Sequence, residues 1–294
     1  GGPGRCVVKT LGPAALADPA AYRRGCVDLA AEVAVLSSLP LHPNLVRLRG
    51  VCYSALSVTG CPSPVLERMA STLDRRIYHW RHQERNRLGA VRGMCRHRSD
   101  GGDARELLAS YRRALLLGRL SAARGLARGL AHLHERGLIH RDVRPSNVGF
   151  GLDGEVKVMD LGSARELTRN DRNADRNDAD DLDRRRTAAL RYTAPEVYEG
   201  GRYVPASDVY SFGVVLWEVC SLERPFDRLT PREMERHVVR GGRRPKLEGS
   251  WPECIKELIS RCWADGVADR PDFATALENL EAAIAAGGAA ENAS

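Results

Sequence analysis

Apolar residues recur at helical spacing in two stretches of the chain and gather into short β-prone runs elsewhere. From Leu116 to Leu133 the positions Leu116, Leu120, Ala123, Ala127, Leu130 and Leu133 step by four or three, which predicts one continuous helical face buried along its length. That helix ends at Gly137. Leu29, Val33 and Leu36 fall at i, i+4 and i+7 and predict a second helix over 26–39, stopping before Pro40. Glu32 lies on the edge of its inward face, where an unpaired carboxylate would be costly. Cys6-Val7-Val8 is a β-prone run that ends in Lys9. Val148 to Leu152 and Val156 to Val158 are two more, joined through Asp153-Gly154, a hairpin turn signal. Residues 79–106 are rich in Arg, His and Gly with little period, and predict a mobile insertion between two helices. Residues 166–186, almost all Arg, Asn and Asp, predict a long disordered loop. The Ala/Gly-rich residues 285–294 predict a flexible tail.

Composition narrows the class. A chain of 294 residues is long enough for one large domain or two lobes with buried cores, and 43% apolar content makes it globular. No apolar run reaches the ~18 residues a membrane span needs, and the first residues lack a basic-then-apolar leader pattern. The eight cysteines show no CxxC pair, which predicts reduced thiols in a cytosolic or nuclear protein. His79, His82, Cys95 and His97 fit no standard zinc spacing. The net charge of +7 is mostly arginine, because Lys9, Lys157, Lys246 and Lys256 are the only lysines. The arginines are scattered and aromatics are 5%, so a dedicated nucleic-acid stripe is not expected. Asp171-x-Asn173-x-Asp175 mimics a calcium loop, but Arg176 stands at the sharp-turn glycine position and Leu182 at the bidentate acid position.

Candidate chemistry concentrates in His140-Arg141-Asp142-Val143-Arg144-Pro145-Ser146-Asn147. Asp142 can take a proton from an attacking hydroxyl, and the Asn147 oxygen can hold a divalent metal. Thirteen residues on, Asp160-Leu161-Gly162 supplies a second acid on a glycine hinge. The hairpin between them would fold Asn147 and Asp160 side by side. Two metal-holding groups beside a candidate base describe phosphoryl transfer.

The pattern H-R-D-x-x-x-x-N followed by D-x-G resembles the protein kinase family. Further motifs carry the resemblance: Ala194-Pro195-Glu196, the run from Asp208 to Glu218 (DVYSFGVVLWE), Cys262-Trp263, and Asp269-Arg270-Pro271 with Phe273. Together they span about residues 5–284 and are most similar to the tyrosine-kinase-like group, whose members mostly phosphorylate Ser and Thr. The resemblance implies an α+β, bilobal protein kinase fold with a truncated N-lobe sheet and a mostly helical C-lobe. It places a partial N-lobe and hinge at 1–69, a C-lobe at 70–284 and an activation segment at 160–196. It implies ATP and Mg²⁺ as cofactors and a protein substrate as partner. Lys9, held by Glu32, would pair the nucleotide phosphates; Val7, Leu66 (the gatekeeper), Glu67 and Met69 would meet the adenine. Asn147 and Asp160 would hold the metal, Asp142 would serve as base, and Arg144 would offset charge on the transferred group. Arg270 would pair with Glu196. A phosphate on the activation loop, at Thr187 or Thr168, would dock at Arg141.

The chain departs from the family pattern in four places. Only eight residues precede Lys9, so the two strands carrying the family's Gly-rich loop do not fit within these 294 residues. Weak ATP affinity, negligible turnover and an exposed sheet edge are expected of this stretch alone. Val7 stands where alanine is usual, which narrows the adenine pocket. Arg144 replaces the usual lysine and delivers its charge as a bulkier fork. Ala189 lies where a threonine usually touches the catalytic Asp, whereas Pro145-Ser146 leans towards Ser/Thr specificity. A Ser/Thr protein kinase is therefore expected, with two alternatives: a binding module or scaffold without turnover, or a fragment of a larger kinase with further domains upstream.

Overall fold

The computed structural model describes residues 4–53, 61–95, 101–167 and 190–292. Its architecture is α+β and bilobal. In the smaller lobe, β1 (Cys6–Val8) and β2 (Leu48–Cys52) flank β3 (Ser63–Glu67), both antiparallel to it. A short helix α1 (Pro13–Ala17) leads into α2 (Pro19–Ser38), which packs on this sheet. The α2 helix starts seven residues earlier than periodicity predicts, because the Asp18 carboxylate accepts the amides of Ala20 and Ala21 and Pro19 occupies the first turn. It ends at Ser38, before Pro40, as expected.

The larger lobe is built on α3 (Leu73–Cys95) and α4 (Gly101–His134), followed by β5 (Leu138–Ile139). The predicted α4 face is buried from Leu116 through Leu133. The expected hairpin is present as β6 (Val148–Gly151) and β7 (Val156–Val158), and β4 (Met69–Thr72) adds to β6. β5 pairs with β8 (Arg165–Glu166). A helix over Pro205–Ser221 runs through the core, buried almost all round, between α4 and the helix Glu253–Cys262. Total burial erases amphipathic period, so this helix shows none. The C-terminal helix Phe273–Asn292 lies along α4.

Two expectations need correction. Residues 79–95, predicted as a mobile insertion, continue α3, and α4 already begins at Gly101. The described part of α3 is exposed beyond Ile77 except for half-buried Trp80, Arg81 and Glu84, so no apolar stripe betrays it. Arg, Gln, Glu and Leu are nonetheless good helix formers. The flexible tail predicted over 285–294 is likewise helical to Asn292. Alanine propensity favours this, and Gly287 lies against the Leu117 side chain, docking the last turns on α4.

One ion pair ties the lobe's C-terminal elements to its middle. The Arg270 guanidinium, fully buried, donates to both carboxylate oxygens of Glu196 at 2.8 and 2.9 Å, to the Ala264 carbonyl at 2.9 Å and to the Ala206 carbonyl at 3.1 Å. Burial alone would raise the Glu196 pKa, but the bonds and charge of Arg270 hold it below the usual carboxylate value. The substitution Arg270→Met leaves that carboxylate without its cation, with only the Ser207 hydroxyl still donating to it, and should cost about 3–5 kcal/mol of unfolding free energy in urea titrations. Adding Glu196→Leu should return part of the loss; equal losses in the single and double variants would show that the pairing does not matter.

Candidate active site

Elements far apart in sequence deliver their charged groups to one place. Lys9, just past β1, donates from Nζ to Glu32 Oε2 and to Asp160 Oδ1, both at 2.7 Å. Glu32, one of the two buried residues of α2, is fully buried, and its other oxygen accepts the Leu161 amide at 3.2 Å. Burial on its own would push the Lys9 pKa down; the charges of Asp160 and Glu32 more than offset this and hold it above the usual lysine value. Asp160 sits in the left-handed region at φ 62°, a conformation that costs a non-glycine residue roughly 1–3 kcal/mol. Its bond to Lys9 and the neighbouring Leu161–Glu32 bond hold it there.

The second group comes from the loop after β5. Asn147 Nδ2 donates to Asp142 Oδ2 at 2.7 Å and to the Asp142 carbonyl at 2.9 Å. That bonding fixes the amide orientation and turns Oδ1 away from Asp142. Arg144 Nε lies 3.2 Å from Asp142 Oδ2, near enough for charge pairing though not aligned as a hydrogen bond. The two groups join through Met159: its amide donates to the Asn147 carbonyl at 2.9 Å, and its carbonyl meets His140 Nε2 at 3.0 Å. The Asp142 amide donates to His140 Nδ1 at 3.2 Å, so the ring proton belongs on Nε2, facing Met159.

A buried acid holds the loop in shape. Asp208, at the start of the core helix, accepts the amides of His140 and Arg141 at 2.8 and 2.9 Å and meets His134 Nε2 at 2.9 Å. Burial would raise its pKa, yet the bond and charge of His134, with His140, keep it below the usual value. Arg141 follows at φ 70°, stacked with its guanidinium 4.4 Å from the Tyr203 ring.

The expected adenine-side residues lie on the sheet and its exit. Val7, half-exposed, is in register with buried Leu66. The Glu67 amide donates to the Arg47 carbonyl at 3.0 Å. Its carboxylate accepts the Arg47 amide at 2.7 Å and lies 3.3 Å from the buried ammonium of Lys157. Met69 reaches the hairpin, where its side chain and Met159 sulfur would stand within 2.8 Å of any Cβ at Gly149. A side chain at Gly149 would require these two flexible methionines to shift.

All ten sequence-predicted site residues are thus described. Lys9, Glu32 and Asp160 form one cluster, Asp142, Arg144 and Asn147 another, with Val7, Leu66, Glu67 and Met69 along the strand pair and exit. Thr168, Thr187, Ala189 and the calcium-loop mimic lie outside the described residues, as does His97. Sequence reasoning missed the anchoring role of Asp208, although an acid opening an apolar helix is a sign of a buried carboxylate needing donors. It also missed Glu218, which accepts the Tyr192 hydroxyl at 2.6 Å beside a cleft of about 310 Å³ shared with Arg144. A larger cavity of about 590 Å³, between α4 and the C-terminal helix, includes none of the site residues.

The donor set suits a hard cation bound together with phosphate oxygens. Asn147 Oδ1 and the half-exposed Asp160 carboxylate offer oxygen donors of the kind magnesium takes, which typically binds one or two protein groups with the rest from substrate and water. Among the described residues there is no cluster of three or more His, Cys, Asp or Glu that would make an all-protein metal cage.

A family model described as protein tyrosine and serine/threonine kinase matches residues 5–280. Serine/threonine/tyrosine-protein kinase HT1 of Arabidopsis thaliana is 35% identical over 162 residues, covering 55% of this chain and 39% of that protein. Mitogen-activated protein kinase kinase kinase 7 of Homo sapiens is 35% identical over 152 residues, covering 50% and 23%. A probable LIM domain-containing serine/threonine-protein kinase of Dictyostelium discoideum is 32% identical over 184 residues, covering 61% and 18%. The matches span about a fifth to two fifths of the length of these relatives.

Glu218 generates a pH prediction. Burial pushes its pKa up to about 7, against the lowering influence of the Tyr192 bond and of Arg224 and Arg81. The unfolded chain releases this proton near pH ~4.3. The stability contribution is therefore full below that value and lost as pH rises through about 7. Glu218→Gln, which imitates the protonated acid, should gain on the parent between pH 5 and 8 by roughly 2 °C or more in thermal midpoint. Parallel unfolding curves for the two proteins across that range would contradict the assignment.

Proposed function

The chain belongs to the protein tyrosine and serine/threonine kinase family, and on that premise we propose that it transfers the γ-phosphoryl group of ATP to Ser or Thr hydroxyls of a protein substrate. The observation that carries this reading is the Lys9 ammonium bridging Glu32 and Asp160 at 2.7 Å, beside a loop where Asn147 holds Asp142 at 2.7 Å. The relative from Dictyostelium discoideum, named a probable serine/threonine-protein kinase, favours Ser and Thr as acceptors.

The residues divide the work by their chemistry. Lys9, its pKa held up by two carboxylates, neutralises the α- and β-phosphates, and Glu32 keeps it aimed. Glu67, whose amide is committed to the sheet, presents its carbonyl to the adenine edge, with Met69 next along the exit and Val7 and Leu66 enclosing the ring. When bound, Mg²⁺ would supply neutralisation of the triphosphate charge. Asn147 Oδ1 and the Asp160 carboxylate are the groups that would hold it. Asp142 accepts the proton of the attacking hydroxyl at Oδ2, the oxygen that Asn147 and Arg144 already orient. Arg144 offsets negative charge on the group in flight. Asp208 fixes the backbone beneath, so little reorganisation is needed when substrate arrives.

The substitution Asp142→Asn removes the base but keeps the shape. Its expected effect is a loss of ~10²–10⁴-fold in turnover with Mg-ATP binding, read by thermal stabilisation, largely preserved. Unchanged turnover, or loss of nucleotide binding without a specific loss of turnover, would argue against Asp142 as base.

A further inference from the structure

Arginine is the default cation of this chain: of its 45 Lys and Arg, only Lys9, Lys157, Lys246 and Lys256 are lysines. Lys9 and Lys157 stand where the lobes meet. Lys9 ties the start of the smaller sheet to Asp160 at 2.7 Å. Lys157, on β7 of the larger lobe, is the buried lysine. Its ammonium donates to the Pro43 carbonyl at 2.9 Å and lies 3.3 Å from Glu67 Oε1. Pro43 belongs to the turn between α2 and β2, and Glu67 closes β3, so one side chain of the larger lobe holds two elements of the smaller. The backbone beside it repeats the tie. The Val158 amide donates to the Asn44 carbonyl and the Val46 amide to the Val158 carbonyl, both at 2.9 Å, and Asn44 Nδ2 donates to the Val156 carbonyl at 2.8 Å. The site suits a slim ammonium rather than a guanidinium fork, because a Cβ at Gly151 would already stand 3.1 Å from Lys157 Cε.

We propose that Lys157 is a positioning residue for the nucleotide, setting the strand end that meets the adenine in register with the acid that meets the phosphates. The inference rests on the kinase reading of the site. Glu67 presents its carbonyl to the adenine edge, and its carboxylate is fixed by Lys157 on one side and by the Arg47 amide at 2.7 Å on the other. From Lys157 the chain runs through Val158 and Met159 straight to Asp160, the carboxylate offered to the metal. One residue thus fixes the adenine end through Glu67 and the phosphate end through β7. ATP carries both ends in one molecule, and it gains from both subsites only where they lie at its own spacing. Misplacing reacting groups by ~1 Å can cost ~10²-fold in rate. An ammonium held between a carbonyl and a carboxylate leaves that spacing little freedom, because a shift would leave buried oxygens without their cation. Lys157 acts through Glu67 and β7 rather than by contact with substrate.

The test uses the full chain and reads binding from thermal midpoints with Mg-ATP, with adenosine and with Mg-tripolyphosphate, the last two standing for the separate ends. Lys157→Met should weaken Mg-ATP by roughly tenfold or more while changing adenosine and tripolyphosphate by less than about threefold, because each end still finds its own subsite. The lone Glu67 carboxylate also destabilises this variant, so a second one, Lys157→Met with Glu67→Gln, removes both charges. Its ligand-free midpoint should recover most of the loss, whereas its Mg-ATP affinity should stay low. Recovery of midpoint and affinity together would reduce the pair to a structural one and overturn the proposal. So would Mg-ATP affinity unchanged in both variants, or a loss shared in proportion by adenosine, tripolyphosphate and ATP. A parent chain that Mg-ATP does not stabilise at all would remove the kinase reading, and the proposal with it.

Discussion

A carboxylate removed from water must be met by donors, and Glu32 imposes that demand on the whole smaller lobe. It is fully buried on α2, and the groups that answer it are the Lys9 ammonium and the Leu161 amide. One comes from a strand near the start of the chain, the other from the segment after the hairpin. Lys9 in turn reaches Asp160, so a single buried charge couples helix, sheet and loop. The coupling is mutual: burial by itself would lower the Lys9 pKa, and Asp160 and Glu32 hold it above the usual lysine value. A helix displaced by a few ångströms would leave the acid unpaired at a cost of several kcal/mol. The geometry of the Lys9–Glu32–Asp160 cluster is thus enforced by desolvation rather than by local propensity.

The same rule governs the larger lobe, with different partners. Asp208 sits at the N-terminal end of an almost wholly buried helix and is satisfied by two backbone amides and His134. Those amides belong to His140 and Arg141, so the acid shapes the loop that carries Asp142. Arg270 and Glu196 repeat the arrangement between the C-terminal region and the short helix Pro195–Tyr198. Each buried charge spans a long separation in sequence. None is a surface pair, and each would be exposed to the full desolvation penalty if its partner moved. Residues that do chemistry therefore rest on residues that only satisfy one another.

Much of the candidate site was legible because its chemistry depends on spacing. The offset of five from Asp142 to Asn147 lets the amide fold back on the acid, and Asp153-Gly154 announced the hairpin that returns the chain to Asp160. Glu32 was legible too, as an acid on an apolar face. What escaped was structure without a periodic signature. The outer part of α3 is polar and largely exposed, so no stripe marked it; the last helix is mostly alanine and glycine, which reads as a tail until a packed surface is found for it. Asp208 and Glu218 belong to a helix buried on every side, where apolar periodicity carries no information about which face meets what.

The sequence by itself determined the inventory: which acids, amides and cations exist, which are close enough along the chain to act as one loop, and which helices must bury a face. Short-range covalent geometry and hydrophobic period suffice for that. Tertiary structure alone decided the pairings across long separations. Lys9 and Asp160 stand 151 positions apart, and Glu196 and Arg270 74 apart. Their partners are chosen by where whole helices and sheets pack and by the cost of leaving a buried charge unmet, and no local pattern encodes that cost.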